Sequence, residues 1–182
     1  MFKGVDAMAP QYSPSVHIYM VRLPRRLAAC ALIVLLVGCS RDEYPAGTGR
    51  IVEVVDGDTI RVKLGKTVET VRLIGVDTPE TKHPDKGVEC YGPEASERTK
   101  TLIDTGTVVR LERDANTRDR YGRLLAYVYR ARDGLFVNET LLIEGFARAL
   151  PFDDTPAFHD HFALAEDAAR RAGVGLWGAC RQ

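Results

Sequence analysis

Residues 50–76 read RIVEVVDGDTIRVKLGKTVETVRLIGV. Ile60, Val62 and Leu64 alternate there with Arg61 and Lys63, the period of two that puts apolar side chains on one face of a strand. Asp56-Gly57-Asp58 supplies a turn that joins this run to an earlier strand at 51–55, and Gly65-Lys66 marks a second turn into a third strand at 68–76. The stretch therefore predicts a three-stranded antiparallel meander.

Working outward, residues 79–92 read as a loop, and Pro93 sits where the first turn of a helix tolerates it. Ala95, Thr99, Leu102 and Ile103 follow at helical spacing before Gly106 stops the run. Residues 108–113 and 124–130 predict two more strands, separated by a charged loop that contains Tyr121-Gly122. Asn138 is placed to cap a short helix, with Val137 and Leu142 spaced as a hydrophobic staple. Thr155 and Pro156 open a last helix in which Phe158, Phe162, Ala165, Ala169 and Ala172 form one apolar stripe, ended by Gly173. Five strands turning through glycines, with three helices, predict an α+β fold: a small closed barrel buttressed by helices, in one domain at 50–182.

The 182 residues are 45% hydrophobic and 27% charged, which excludes a disordered, collagen-like or multidomain chain. Twenty-five Lys and Arg balance 25 Asp and Glu, so no uniformly basic coat announces a nucleic-acid binder. The N-terminal segment reads apart from the domain. Arg22, Arg25 and Arg26 precede an uncharged apolar run at 27–38 that is too short to span a bilayer, the grammar of a signal peptide. Leu36-Val37-Gly38-Cys39 resembles the lipobox of bacterial lipoproteins, in which the cysteine is lipidated and becomes the mature N-terminus. Residues 1–38 are thus expected to be removed, with 1–19 preceding a plausible start at Met20. Cys39 would carry a membrane anchor, and residues 40–49, SRDEYPAGTG, a tether. The chain is expected to be exported and lipid-anchored to the cell envelope, or secreted if the cysteine is not acylated. Removing 1–38 leaves 21 basic and 24 acidic side chains, so an anionic substrate needs positive charge, or a bound cation, concentrated at one place. Cys90 and Cys180 remain, either as a disulfide that an exported compartment permits or as two free buried thiols.

Three short segments hold side chains that a core does not require. Asp56-Gly57-Asp58-Thr59 alone is an ordinary hairpin turn. In the second, Arg72-Leu73-Ile74-Gly75-Val76-Asp77-Thr78-Pro79-Glu80, a strand delivers an arginine and ends in two carboxylates. Arg72 and Asp77 are an odd number of residues apart and would face opposite ways on a regular strand. For both to line one site the strand must bulge or end between them, and Gly75 is the residue that permits it. The third, Asp119-Arg120-Tyr121-Gly122-Arg123, sets a guanidinium at the start of a strand. Together they supply hard carboxylate oxygens for a divalent ion, a spare carboxylate and two guanidiniums. That is an inventory for attacking a phosphodiester.

These segments, with Thr81-Lys82-His83-Pro84, Tyr91-Gly92-Pro93-Glu94-Ala95-Ser96 and Leu124-Leu125-Ala126-Tyr127, resemble the staphylococcal nuclease (thermonuclease) family in order and near-family spacing, from about Gly49 to Trp177. The resemblance implies a five-stranded OB-fold barrel with three helices. It implies a calcium-dependent phosphodiesterase, a monomer, that cuts DNA and RNA and leaves 3'-phosphate ends. Carried over by position, Asp58 and Asp77 match the calcium-binding carboxylates, Thr78 adds its backbone carbonyl, and Glu80 matches the general base or water-orienting group. Arg72 and Arg123 match the pair that binds the scissile phosphate. Lys86 and Tyr121 fall where the family contacts a terminal phosphate, and Asp56 lies close to the metal site. The oxygen-only donor set favours calcium over a soft transition metal on independent grounds.

Two departures stand out. Where the family has a tyrosine-rich wall of the nucleotide pocket, this chain reads Ala149-Leu150-Pro151-Phe152, leaving Phe152 to stack on a base. The domain is also slightly acidic. The alternative reading is a non-catalytic cell-surface module that binds nucleic acid, which has no reason to retain Arg72, Asp58, Asp77, Glu80 and Arg123 together.

Overall fold

The computed structural model describes residues 46–81, 87–150 and 156–180. The expected signal peptide, Cys39, Lys86 and Phe152 lie outside the described residues. The meander forms as its alternation predicts: β1 (Thr48–Asp56), β2 (Thr59–Leu64) and β3 (Thr67–Leu73) pair antiparallel in succession. β1 starts two residues ahead of the expected domain boundary, with Thr48 and Gly49 paired to Arg110 and Val109.

The expected third strand is shorter than its apolar run. It stops at Leu73, and Val76–Asp77 forms a separate two-residue strand, β4. Gly75 lies between them at φ 75, and a Cβ there would stand 2.5 Å from the Phe162 ring, so both backbone and space exclude a larger residue. Beyond β4 come helix α1 (Gly92–Leu102), β5 (Val108–Glu112), β6 (Leu124–Arg130), α2 (Val137–Ile143), β7 (Arg148–Ala149), a 3-10 turn at Pro156–Phe158, α3 (His159–Ala172) and the four-residue α4 (Leu176–Ala179).

The strands close into a barrel in the order β1-β2-β3-β6-β5, with β3 and β6 parallel. β4 pairs with β7 outside it. The barrel and its three longer helices are the α+β architecture expected from the strand and helix pattern. Ile51, Ile60, Val62, Val71, Leu73, Val109, Leu124 and Val128 are buried together with Ile74, Val76, Leu141, Leu142 and Phe162 in one core. α1 packs on β1 and α2, and α2 on β6 and α3. In the α3 stripe, Phe162 and Ala169 are buried and Phe158 and Ala165 half-buried against the core, but Ala172 is exposed.

Asn138 does not cap α2. Phe136 holds the N-cap position, and the Asn138 side chain, fully buried, accepts the Val128 N–H at 2.9 Å and donates to the Ile74 carbonyl at 2.8 Å. It ties β6 and α2 to the backbone beside the β3–β4 break. Asn138→Leu strands a buried donor and a buried acceptor, each costing about 1–3 kcal/mol. Urea unfolding should therefore show a stability loss of about 2–6 kcal/mol at unchanged m-value; an unchanged midpoint contradicts this role.

Candidate active site

The turn after β1 presents Asp56 and Asp58 at the barrel rim, and the buried Thr99 of α1 grips it by donating to the Gly57 carbonyl at 2.6 Å. Asp58 is buried. Its Oδ1 accepts from Thr59 Oγ1 at 2.9 Å, and its Oδ2 accepts the Thr78 N–H at 3.1 Å and lies 3.0 Å from Arg72 Nη2. The same Nη2 donates to Asp77 Oδ1 at 3.0 Å. The Nη1 of Arg72 donates to the carbonyls of Leu73 at 2.8 Å and Val76 at 2.6 Å, the groups on either side of the strand break. With the break in place, Arg72 and Asp77 meet despite their odd spacing.

Asp56, Asp58, Arg72, Asp77, Glu80 and Arg123 share one polar cleft of about 260 Å³ with Thr59, Thr78 and Glu89. Burial, then a hydrogen bond to Glu80, push the Asp56 carboxyl from 3.8 up to about 6, against the opposing N–H of Gly57 and the hydroxyl of Thr81. Partial desolvation also raises Asp77, the negative charges of Asp58 and Glu89 adding to it while Arg72 opposes. Both shifts follow first from burial, with neighbouring acidic groups adding to it.

Arg123 enters from the start of β6. Asp119 fixes it by accepting from Arg123 Nε at 2.6 Å and from its backbone N–H at 2.9 Å. Burial alone would raise Asp119, but these Arg123 contacts hold its carboxyl below the usual range. Nη1 and Nη2 of Arg123 make no hydrogen bond among the described residues, so a fork of donors remains for a ligand. A second cleft of about 480 Å³ adjoins and shares Arg72 and Arg123. Leu125 and Leu150 line it together with Tyr121, Arg118 and Arg120, and Tyr121 is 68% exposed.

Glu89 was not legible as part of the site. It belongs to no motif, and only folding brings its Oε2 to the Glu80 N–H at 3.1 Å. Thr81, whose hydroxyl donates to Asp56 Oδ1 at 2.9 Å, was hidden in the same way. Cys90 and Cys180 are bonded to each other, one residue beyond Glu89 and at the end of α4.

Among the described residues no three His, Cys, Asp or Glu side chains group around one point as a metal cage. The pair Asp58 and Asp77 still suits one kind of ion. Their oxygens, each 3.0 Å from the same nitrogen, lie within twice that distance of one another. All donors there are oxygens, and the cleft is polar and open to water. Such a set fits a hard, largely hydrated divalent ion held weakly, and calcium tolerates that irregular, water-rich coordination better than magnesium.

Residues 70–179 match the family described as staphylococcal nuclease homologue. Over 125 residues the chain is 46% identical to endonuclease YncB of Bacillus subtilis (strain 168), covering 68% of this chain and 58% of that protein. The SPbeta prophage-derived endonuclease YokF of the same organism is also 46% identical over 125 residues, which are 41% of its length. The chain thus spans about half the length of these two relatives. A thermonuclease of Staphylococcus hyicus is 40% identical over 130 residues, 71% of this chain and 75% of that protein.

The raised Asp56 pKa has a signed consequence. Between 3.8 and about 6 the folded chain holds a proton that the unfolded chain has released, so stability falls as pH rises through that window and levels off above it. With chelator present, Asp56→Asn should flatten the segment of the stability–pH curve between those values; an unchanged slope contradicts the assignment.

Proposed function

The chain belongs to the staphylococcal nuclease family, and from that premise we propose that it is a calcium-dependent phosphodiesterase hydrolysing DNA and RNA to 3'-phosphate products. The observation that carries the reading is the convergence of Arg72, Asp58, Asp77, Glu80 and Arg123 on one cleft. A protein that only binds polyanions has no use for five carboxylates, Glu89 included, beside its arginines, because they repel the ligand.

Asp58 and Asp77, with the Thr78 carbonyl, would hold the cation, which supplies neutralising charge at the phosphate oxygens. Glu80 accepts a proton from a water poised to attack phosphorus. Asp56 lies within hydrogen-bonding reach of Glu80 and helps to set its orientation. Arg123, anchored through Nε by Asp119, offers Nη1 and Nη2 to two phosphate oxygens and stabilises the charge that builds there during attack. Arg72 spans the two carboxylates and adds positive charge behind the phosphate. The bond to the 5' oxygen breaks, that oxygen leaves with a proton, and the phosphate stays on the 3' side. The adjoining cleft, with its apolar Leu125 and Leu150 and the exposed Tyr121 ring, suits the flanking nucleotide, where ring stacking is tolerant of base identity.

The N-terminal segment supports export, with Cys39 as a lipid anchor or, without acylation, secretion; the enzyme works as a monomer. Mass spectrometry of the mature N-terminus from its native host distinguishes an acylated Cys39 from a plain signal-peptide cut.

Glu80→Gln and Arg123→Ala should each lower kcat on single-stranded DNA and on RNA about a hundred- to ten-thousandfold with circular dichroism unchanged. Chelator should stop cleavage and calcium restore it. Tight binding of both polymers in calcium without cleavage would replace the enzyme by a binding module. Because the domain is slightly acidic, the log–log slope of binding against salt should correspond to only a few phosphate contacts; a slope of many contacts would reveal a basic path outside this cleft.

A further inference from the structure

Glu89 lines the cleft yet has no part in the reaction described above. It grips Glu80 in both directions. The Glu80 N–H donates to Glu89 Oε2 at 3.1 Å, and the Glu89 N–H donates to the Glu80 carbonyl at 2.9 Å. The residues that follow press on the same peptide. Gly92, at the start of α1, donates its N–H to the Glu89 carbonyl at 3.1 Å, and a Cβ on it would lie 2.8 Å from the Glu80 carbonyl oxygen and 3.1 Å from that of Pro79. Tyr91 between them is held at φ 71, a conformation that a bulky residue keeps only where its surroundings fix it. Its ring stacks on Phe146 at 5.3 Å.

One covalent link secures this arrangement from the other side. Cys90, next to Glu89, is bonded to Cys180, and the Cys180 N–H donates to Leu176 of α4 at 3.1 Å. Leu176 is buried, and its N–H donates to the Gly145 carbonyl at 2.8 Å. The Glu89 backbone is therefore tethered to the body of the domain through a bond whose Cys90 end is exposed to solvent.

We infer that Glu89 is a positioning residue for Glu80, and that the Cys90–Cys180 bond holds Glu89 in place, so that hydrolysis depends on this bond being oxidised. The inference rests on the hydrolytic reading. A general base must keep its geometry closely, and a displacement of about 1 Å costs on the order of a hundredfold in rate. A small dithiol reduces the Cys90–Cys180 bond in two exchange steps. Its thiolate attacks one sulfur of the pair to form a mixed disulfide, and its second thiolate displaces that link. Two electrons and two protons pass to the cysteines, leaving two thiols and a cyclic disulfide of the reagent. A nuclease so built reaches full rate in an oxidising compartment and is restrained in a reducing one.

The test uses the full chain with calcium and a single-stranded oligonucleotide, with and without the dithiol. It compares the wild type, Glu89→Ala, Glu89→Gln and the double variant Cys90→Ser/Cys180→Ser. Glu89→Ala should lower kcat by at least about tenfold with KM within about twofold. Glu89→Gln, whose side-chain carbonyl still accepts the Glu80 N–H, should recover most of it. Reduction should lower wild-type kcat by a similar factor, reoxidation should restore it, and the double serine variant should be low and indifferent to the dithiol. The Glu80 amide should exchange its hydrogen faster in Glu89→Ala and in the reduced wild type.

Full kcat in Glu89→Ala, a change in KM alone, or Glu89→Gln as slow as Glu89→Ala overturns the positioning role. Full kcat in the reduced chain overturns the dependence on the bond. So does outright unfolding of the reduced chain by circular dichroism, which would make the bond a staple of the fold. If the oxidised wild type cleaves nothing, the hydrolytic reading falls, and exchange at the Glu80 amide decides alone: acceleration upholds the positioning role and an unchanged rate overturns it.

Discussion

The site depends on a single buried guanidinium. Arg72 is 7% exposed, with one terminal nitrogen on the carbonyls of Leu73 and Val76 and the other between Asp58 and Asp77. The first pair of contacts satisfies backbone groups that the end of β3 would otherwise strand in the interior. The second gathers two carboxylates, one from the β1–β2 turn and one from β4. A charge so placed would be costly if unpaired, and removing either carboxylate leaves the arginine poorly compensated. Strand break, arginine and acid pair are therefore one structural unit.

That unit explains which parts of the molecule could be read from the sequence. Alternation at Ile60, Val62 and Leu64 fixes which face of β2 is buried, because period and face are the same fact in a strand. The odd spacing of Arg72 and Asp77 demanded a break, and Gly75 was the residue able to make it; the break falls there because Phe162, from α3, occupies the space where a side chain would go. The acids and arginines lie in short motifs whose composition has no core purpose, which is why they stood out. Asn138 misled because an asparagine ahead of an apolar run has the same local pattern whether it caps its own helix or bonds to distant backbone. Glu89 carries no local signal, since its significance arises only when the chain returns to Glu80.

The acidic balance of the domain fits the same account. Of the basic side chains, Arg72 and Arg123 line the acidic cleft, and on the proposed reading a cation held by Asp58 and Asp77 would add its charge to theirs where phosphate binds. Substrate and cation would then favour one another's binding, because each would supply the charge the other requires. Leu125, Leu150 and Tyr121 give the second cleft an apolar surface, which on the proposed reading would accept a flanking base without a strong demand on its identity.

On the proposed reading Asp58 and Asp77 form a hard-cation site completed by phosphate. Calorimetric titration of the full chain with calcium, alone and with a non-cleavable phosphodiester oligonucleotide bound, tests it most directly. The account predicts one weak calcium site per chain, tightened by the oligonucleotide and abolished in the Asp58→Asn/Asp77→Asn variant. Calcium binding that survives in that variant, or that is indifferent to the oligonucleotide, would contradict it.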